Sequence, residues 1–579
     1  LGFLRAVNEA ATQARGRHVV LLNSDAILQE GALAAACARL DAEPAIGALG
    51  GRIVLTTGGL QEAGNRIFRD GSTVGMGRGE DPFSPAAMAG RAADYVSGVF
   101  LAVPMTVWRL LGGFDDRFAP AYYEDTDFCV RVWRAGFRVV YAPEVLLEHL
   151  EWGSAQGDEA PRQMRENQRH FLACHGEWLQ HQPAPSPQPL DADRWRSPED
   201  QPRRPRVLVI DNEVPHMFKG GGLPRARLML QALRDWPVTF FPLWVAEDDW
   251  RDVYASLPHS TEVMLDHGTD AGLDRLEAFL EQRRGLYDVL VVSRPPNLKA
   301  LQPLRQRRPE LFEPMRLVYD AEALFALREI AEAAVKGRPL SRAAAQARLA
   351  GEIGLANGTD HVFVVSDRDA ALFRAAGHRV TLLSHATTLR RTVPGPAPRS
   401  GLLFVGALHP DTPNEDGLVW FIEQVMPLLR ERMVLPPVLS VVGVNRSSRV
   451  SELAGPDVRL LGPQALLEPL YDSARVFVAP VRYAGGVPAK VIEAASNGIP
   501  VVASAVLVRQ LGWDEGIDIQ AARDARAFAD GIERLLRDDA LWLRQQASAW
   551  AQCGARYNEE RFGQALRHVL QGTQRDGDA

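Results

Sequence analysis

The chain has 579 residues, of which 46% are hydrophobic and 24% charged, and its formal net charge is -7. At roughly 100 to 200 residues per domain, this length predicts about three or four compact units. The negative charge argues against nucleic acid as the main partner, and the apolar runs are far shorter than the roughly 20 residues of a membrane span.

The N-terminal third alternates strand and helix patterns, which predicts an α/β domain over residues 1–178. Strands are expected at residues 19–22 and 139–141. Because the chain opens inside an amphipathic helical pattern, we expect the first strands of this domain to be missing. The four cysteines have no paired spacing, which fits a reducing compartment and suggests neither a disulfide framework nor a zinc site.

Dense prolines then predict an extended linker over residues 179–205. Beyond it, continuous apolar runs alternate with helical patterns, which is typical of parallel strands covered on both faces. A proline-rich break at residues 393–401 divides the runs into two series, so two doubly wound lobes are predicted, over residues 206–395 and 396–579. The first series lies at residues 207–210, 238–241, 289–292, 317–319 and 362–365, and the second at 402–405, 439–442, 476–478 and 501–503. The last segment, residues 540–570, has a helical pattern that we expect to cross back to the first lobe.

"HVVLLNSDA" places Asn23 and Asp25 directly after a buried strand, where ligands of open α/β sheets gather. Both side chains could address one hard cation such as Mg²⁺ or Mn²⁺, which prefers oxygen ligands. An ordinary turn or helix-capping role is the alternative.

"YYEDTDFCVRVWRAGF" starts a helix with acids. Asp127 and Arg131 have the spacing of a structural ion pair. Glu124 and Asp125 could simply favour the helix dipole, but Asp125 heads the apolar face of the helix, where a general base is the obvious role for a carboxylate. His149, after the following strand, is by default a polar strand-end residue.

Together with "GFLRAVNEA" and "DYVSGVFLAVPMTVWRLLGGFDDRF", these segments resemble family 2 glycosyltransferases of the GT-A fold, rhamnosyltransferase-like branch, over about residues 2–154. The resemblance implies an inverting transfer in which Asp125, beside Glu124, deprotonates the acceptor. It implies that Asp25, last residue of a DXD-like motif, binds Mn²⁺ or Mg²⁺ and the donor diphosphate, with His149 as a late metal ligand. Asn23 stands where the strict motif has its first acid. The strands that hold the nucleobase in this family precede residue 1.

Two glycine-rich segments mark the second half. "MFKGGGLPRARLMLQAL" leads into a helix, where consecutive backbone N–H groups can cradle an anion. "APVRYAGGVPAKVIEAASNGIPVVAS" carries two basic residues around its glycines, and its lysine is one of only four in the chain. A phosphate-binding role follows from that placement, with a solvated lysine as the alternative. The residues concerned are Gly220, Gly221, Gly222, Arg482, Gly485, Gly486 and Lys490.

With "VYDAEALFALREIAEAA", "VSDRDAALF" and "LLFVGALHPDTPNEDGLVWF", these segments resemble family 4 glycosyltransferases of the GT-B fold over about residues 206–570. The resemblance implies a retaining transfer with the nucleotide sugar bound between two Rossmann-like lobes, and it makes Glu493 a contact of the ribose or sugar. The first Glu of the family motif falls on Gly485. The basic pair that often follows the "FVG" strand is replaced by Ala407 and "HPDTPN". Asp320 and His385 stay open between functional and structural roles.

The predicted protein is a tandem bacterial glycosyltransferase: a partial GT-A domain followed by a GT-B pair of lobes. It would transfer sugars from nucleotide-sugar donors to a growing surface glycan, polysaccharide or lipopolysaccharide, in the cytoplasm or peripherally at the inner membrane. The GT-A half is expected to need Mn²⁺ or Mg²⁺, and the GT-B half no cofactor. Two alternatives stay open: one half is a non-catalytic glycan-binding or scaffolding module, or the first domain transfers nucleotidyl groups.

Overall fold

The computed structural model describes residues 2–150, 159–185, 204–217, 219–220, 222–244, 248–265, 272–464 and 466–572. The chain forms two compact units, residues 1–208 with 234–287, and residues 209–233 with 288–579. Residues 186–203, most of the predicted linker, lie outside the described ranges, and the predicted domain boundaries stay a prediction. No helix in these ranges is both long enough and apolar enough to cross a membrane.

The first unit is built on a mixed sheet with the strand order β1-β8-β3-β9-β2, in which β4 lies beside β3 and β7 beside β9. The long central strands β3 and β9 are parallel, whereas β1 pairs with β8 and β2 with β9 in antiparallel fashion. The strands of the sheet are β1 His18–Leu22, β2 Ala26–Leu28, β3 Ile46–Leu55, β4 Leu60–Glu62, β7 Arg91–Ala92, β8 Phe100–Pro104 and β9 Arg138–His149, and a separate antiparallel pair is formed by β5 Asn65–Ile67 and β6 Thr73–Gly75.

Helices cover this sheet because one face of each is apolar. The helix Glu124–Arg134 has three acids in its first turn, which favour the helix dipole, and it buries Phe128, Cys129 and Val132 completely. The helices are Gly2–Gln13, Ala32–Ala42, Pro85–Met88, Met105–Leu111, Glu124–Arg134 and Glu159–Leu179. The predicted α/β domain with an opening helix is therefore confirmed.

The remainder of the first unit, residues 234–287, contains a parallel strand pair, β11 Val238–Pro242 and β12 Thr261–Val263. Two helices accompany it, Trp250–Ser256 and Gly272–Gln282.

The second unit contains two parallel sheets, as the continuous apolar runs predict. In the first, β10, β13, β14, β15 and β16 lie in that order, and in the second the order is β19-β18-β17-β20-β21-β22. Their bounds are β10 Val207–Asp211, β13 Val289–Ser293, β14 Arg316–Glu322, β15 His361–Val364, β16 Val380–Leu382, β17 Ser400–Val405, β18 Leu439–Val442, β19 Val458–Gly462, β20 Ala474–Ala479, β21 Val501–Ser504 and β22 Gln520–Ala522.

The closing segment is helical and reaches back to the first lobe, as predicted. Arg567 Nη1 donates a hydrogen bond to the Ala232 carbonyl at 2.7 Å, and Arg316 Nη1 donates to the Val569 carbonyl at 3.2 Å. The α-helices of this unit are Leu223–Ala232, Pro295–Arg307, Phe325–Val335, Arg342–Gly354, Asp367–Ala375, Pro413–Trp420, Met426–Arg432, Ser448–Glu452, Glu468–Ser473, Ala489–Ser496, Ala505–Leu511, Ala525–Arg537, Asp539–Arg556 and Glu559–Gln571.

Candidate active sites

Asp25 and His149, 124 positions apart in sequence, meet in the first unit. The antiparallel pairing of β2 and β9 sets Ala26 opposite His149, and the Asp25 carbonyl accepts a hydrogen bond from the Leu150 N–H at 2.9 Å. His149 Nε2 lies 3.2 Å from Asp25 Oδ1, and Nδ1 lies 2.8 Å from Gln61 Oε1. Gln61 was missed by the sequence analysis, since nothing in its own segment points to a histidine on β9.

This pair has a feature that suits a cation. When Nδ1 of His149 donates to Gln61, Nε2 carries a lone pair that faces the Asp25 carboxylate. Two acceptors this close need a proton or a cation between them. No group of three or more His, Cys, Asp or Glu side chains able to hold a metal occurs within the described residues.

Asp125 lies in the first turn of the helix Glu124–Arg134, and backbone N–H groups orient its carboxylate. Oδ2 accepts from the Gly98 N–H at 2.8 Å, and Oδ1 accepts from the Thr126 N–H at 2.6 Å. Burial raises the pKa of Asp125 above its usual range. The side chain is therefore both fixed in direction and a stronger base than an exposed aspartate.

Glu124, its neighbour, is 5% exposed, and its Oε2 makes no hydrogen bond to any described residue. Burial, and next the charge of Asp125, raise the pKa of Glu124 to about 8. The chain enters this helix through Tyr122 and Tyr123, whose φ angles of 75° and 70° are in the left-handed region. Such backbone strain is found most often at functional sites.

Two short segments, residues 98–99 and residues 61–62, each have one residue near Asp125 and the next near the Asp25–His149 pair or Asn23. Gly98 donates to Asp125, while the next carbonyl, that of Val99, accepts from the Asn23 N–H at 3.0 Å. Gln61 contacts His149, and the charge of Asp125 raises the pKa of the adjacent Glu62, although burial is the larger cause. The predicted base and the predicted metal ligands thus have neighbours that are adjacent along the chain, Gly98 with Val99 and Gln61 with Glu62.

Asp127 forms the ion pair with Arg131 that its spacing predicts. Its Oδ2 accepts from Arg131 Nε at 2.8 Å, and its Oδ1 lies 2.8 Å from Nε2 of His175, on the helix Glu159–Leu179. Asp127 is 1% exposed. The histidine partner was not predicted, because the sequence shows no relation between the two helices.

In the second unit, Lys490 is held in the first turn of the helix Ala489–Ser496. Its ammonium donates to Asn414 Oδ1 and lies 4.7 Å from the centre of the Phe404 ring. Burial lowers the pKa of Lys490 to about 8. Glu493, one turn later, is also buried, which raises its pKa, and the charges of Lys490 and Arg227 partly offset that effect.

The segment that replaces the expected basic pair leads into a helix that supplies partners for both predicted basic residues. It forms the start of the helix Pro413–Trp420, which carries Asn414 and Asp416. Arg482 Nε donates to Asp416 Oδ2 at 2.8 Å, and a second guanidinium nitrogen reaches Oδ1. The guanidinium of Arg482 is therefore paired directly with a carboxylate, whereas the hydrogen-bond partner of Lys490 is a neutral amide and its charge interacts with Glu493 only at longer range.

The predicted glycines allow close backbone packing. A Cβ on Gly486, which has a φ of +68°, would lie 2.7 Å from Ala323 Cβ, and one on Gly485 would lie 3.2 Å from the Leu324 carbonyl oxygen. A Cβ on Gly222 would overlap the carboxylate of Glu322, which is the last residue of β14. Gly220 has open space around it, and Gly221 lies outside the described residues.

Comparison with known proteins gives these sites a context. Residues 1–169 match the family described as "Glycosyltransferase like family 2", and residues 399–538 match "Glycosyl transferases group 1". An uncharacterised protein of Sinorhizobium fredii is 24% identical over 179 residues, which are 30% of this chain and 20% of that relative. The chain thus spans only a fifth of that curated relative.

Among solved structures, sucrose-phosphate synthase from Thermosynechococcus elongatus is 20% identical with a TM-score of 0.50, covering 64% of this chain and 98% of the other. HepE of Anabaena in complex with UDP-glucose is 17% identical with a TM-score of 0.46, covering 63% and 99%. At such identities the likeness to the synthase supports the fold alone. The predicted resemblances and the predicted fold class are confirmed, whereas the roles of individual residues stay predictions. The chain therefore contains a family 2-like glycosyltransferase domain in residues 1–169 and a group 1 glycosyltransferase domain in residues 399–538.

Proposed function

We propose that both halves transfer sugars from nucleotide-sugar donors to a growing surface glycan, the first with inversion and the second with retention. The observation that carries the proposal is the pairing of Asp25 with His149 and the position of Asp125 next to the same two chain segments, residues 61–62 and 98–99. Two transferases on one chain would act on the same acceptor at high effective concentration.

In the first half, Asp125 would accept the proton of the acceptor hydroxyl while that oxygen attacks the anomeric carbon. The bond from this carbon to the diphosphate oxygen breaks on the opposite face, so the configuration inverts. The Gly98 and Thr126 N–H groups fix the direction of the carboxylate. General bases of this kind contribute about 10²–10⁴-fold to the rate.

Asp25 and His149 would hold Mn²⁺ or Mg²⁺ together with the donor, and Asn23 lies beside them. The bound ion supplies positive charge against the diphosphate of the leaving group. Gln61 keeps the His149 ring oriented, as outer-shell partners of metal ligands commonly do.

In the second half, Lys490 is the proposed phosphate contact and Glu493 the proposed contact of the ribose or sugar. Lys490 has no carboxylate in hydrogen-bonding range among the described residues, since its partner Asn414 is neutral. Arg482 would have to share its guanidinium between Asp416 and phosphate. The glycines would contribute backbone N–H groups from their turns.

Product analysis with single variants tests the two-enzyme proposal. The full chain is incubated with nucleotide sugars and a defined acceptor panel, and products are resolved by mass spectrometry. We expect two successive sugars from the wild type, one lost in Asp125→Asn and the other in Lys490→Ala. Lys299→Ala, which removes an exposed lysine of the second unit, is the matched control.

The same experiment separates the alternatives. If Lys490→Ala loses no sugar while Asp125→Asn loses all transfer, the second half is a binding or scaffolding module. The engagement of Arg482 by Asp416 is the observation in favour of that alternative. Release of pyrophosphate rather than nucleoside diphosphate would instead identify nucleotidyl transfer by the first domain.

A further inference from the structure

Two residues of the second unit with unusual backbone conformations meet at the carboxyl ends of neighbouring strands. Arg294, with a φ of 74°, follows β13, and Glu322, with a φ of 54°, ends β14. The two strands are parallel, with Ser293 opposite Asp320, and Arg294 Nε lies 3.7 Å from Glu322 Oε2. Left-handed conformations of non-glycine residues persist where the surroundings hold them in place, and the carboxyl ends of parallel strands are where ligands of α/β sheets bind.

Beside this pair, three buried polar atoms make no hydrogen bond within the described part of the chain: Asp211 Oδ2, Asp320 Oδ1 and Arg225 Nη2. The other atoms of the same side chains are engaged, because Asp211 Oδ1 accepts from Arg294 Nε at 2.8 Å and Asp320 Oδ2 accepts from Arg225 Nη1 at 2.6 Å. Buried polar atoms in proteins nearly always have partners. The cluster thus has one hydrogen-bond donor, Arg225 Nη2, and two acceptors, Asp211 Oδ2 and Asp320 Oδ1, that the contacts within it do not use.

Glu322 and Arg294 are the accessible members of this cluster. Each has 14% of its side chain exposed, whereas Asp211 has 1% and Asp320 has 3%. The carboxylate of Glu322 lies directly against the Gly222 backbone, since a Cβ there would come within 1.3 Å of Oε1. A ligand would therefore reach the cluster beside Gly222, through Glu322 and Arg294.

The charge of the cluster indicates the class of ligand. Three carboxylates and two guanidinium groups give a formal charge of -1 when all are ionised, and proton uptake by Asp211, whose pKa burial raises to about 7, brings it to zero. A cluster that is neutral or negative does not favour a diphosphate. A carboxylate beside a guanidinium matches adjacent hydroxyl groups, because one accepts and the other donates.

We propose that Glu322 and Arg294 bind two adjacent hydroxyl groups of the acceptor sugar of the second transferase. Glu322 accepts a hydrogen bond from one hydroxyl, and Arg294 donates to the oxygen of its neighbour. The inference rests on the proposed function, but it concerns residues separate from Lys490 and Glu493, which are assigned to the donor. Gly222 is required because any side chain there would displace the Glu322 carboxylate.

The test compares sugar binding with nucleotide binding in the full chain. The probes are p-nitrophenyl glycosides of the common hexoses, followed by saturation-transfer NMR, and UDP, followed by calorimetry. Glu322→Gln keeps the size of the side chain but weakens it as an acceptor, so the dissociation constant of the bound glycoside should rise about tenfold to a hundredfold. UDP binding should stay unchanged. Glu560→Gln, on the exposed face of the helix Glu559–Gln571, is the matched control and should change neither.

Arg294→Lys serves as a second variant, since it keeps the charge but loses the planar donor group, and it should also weaken the glycoside without affecting UDP. Equal glycoside binding by wild type and both variants, or binding of no glycoside by the wild type, would overturn the inference. A parallel loss of UDP binding in both variants would show a structural role and also overturn it. Failure of the wild type to bind UDP would count against the proposed function instead, so the two failures are distinguishable.

Discussion

Replacing Lys490 with methionine should stabilise the folded chain while weakening nucleotide binding. Burial lowers the pKa of this lysine from 10.5 to about 8, a difference that corresponds to about 3 kcal/mol against the charged form. Methionine can occupy the space over the Phe404 ring without a charge. The lost hydrogen bond to Asn414 offsets about 1 kcal/mol, so a net gain of about 1–2 kcal/mol is expected at pH 7.

The effect has a defined pH dependence. Between about pH 8 and 10.5 the unfolded chain holds a proton that the folded chain has released, so wild-type stability should rise with pH across this window. The variant lacks this rise, and its advantage should shrink toward pH 10. Urea unfolding at pH 7 and pH 9.5 measures both quantities.

Nucleotide binding should change in the opposite direction. A charge-assisted hydrogen bond to phosphate contributes about 1.5–3 kcal/mol, so Lys490→Met should weaken UDP about tenfold to a hundredfold. Calorimetry in an Asp25→Ala background isolates the second site. Wild-type affinity should be constant below pH 8 and fall above it as Lys490 loses its proton.

Lys299→Met is the control, since it removes an exposed lysine of the same unit and should change neither stability nor affinity by a comparable amount. If Lys490→Met binds UDP as tightly as the parent, Lys490 is not a phosphate ligand. If the variant is also less stable than the wild type at pH 7, the argument from burial is wrong.

Three further outcomes are expected. Asp127→Ala should destabilise the first unit by about 3–5 kcal/mol in urea unfolding, because it leaves buried His175 without its carboxylate partner and breaks the ion pair with Arg131; an unchanged midpoint would contradict this. Excess EDTA should abolish the inverting transfer and leave the retaining transfer intact, as judged from the two products; equal loss of both would refute separate metal dependence. Because the pKa of Glu124 is raised to about 8, the folded chain keeps a proton that the unfolded chain releases, so stability should fall from about pH 5 to pH 8. Glu124→Gln should reduce that slope, to which Asp125 with its raised pKa also contributes, and an identical slope in the variant would disprove the assignment.

Much of the fold could be predicted from local patterns. Apolar runs such as residues 289–292 and 402–405 coincide with β13 and β17, because a strand buried on both faces must be apolar throughout. The opening helix and the closing helices followed from helical periodicity. Asp127 and Arg131 could be paired from spacing alone, since residues four apart share one face of a helix.

The sequence by itself thus determined the two glycosyltransferase domains and the α/β class, since both depend on short-range periodicity and on motifs that are contiguous in the chain. Tertiary structure alone decided the partners: Gln61 against His149, Asn414 against Lys490, and Arg294 against Glu322. These side chains come from different strands and helices, and their contacts depend on strand order and register. A linear pattern records which face of an element is buried but not which element covers it, so only the folded chain shows which charges are balanced and which remain for a ligand.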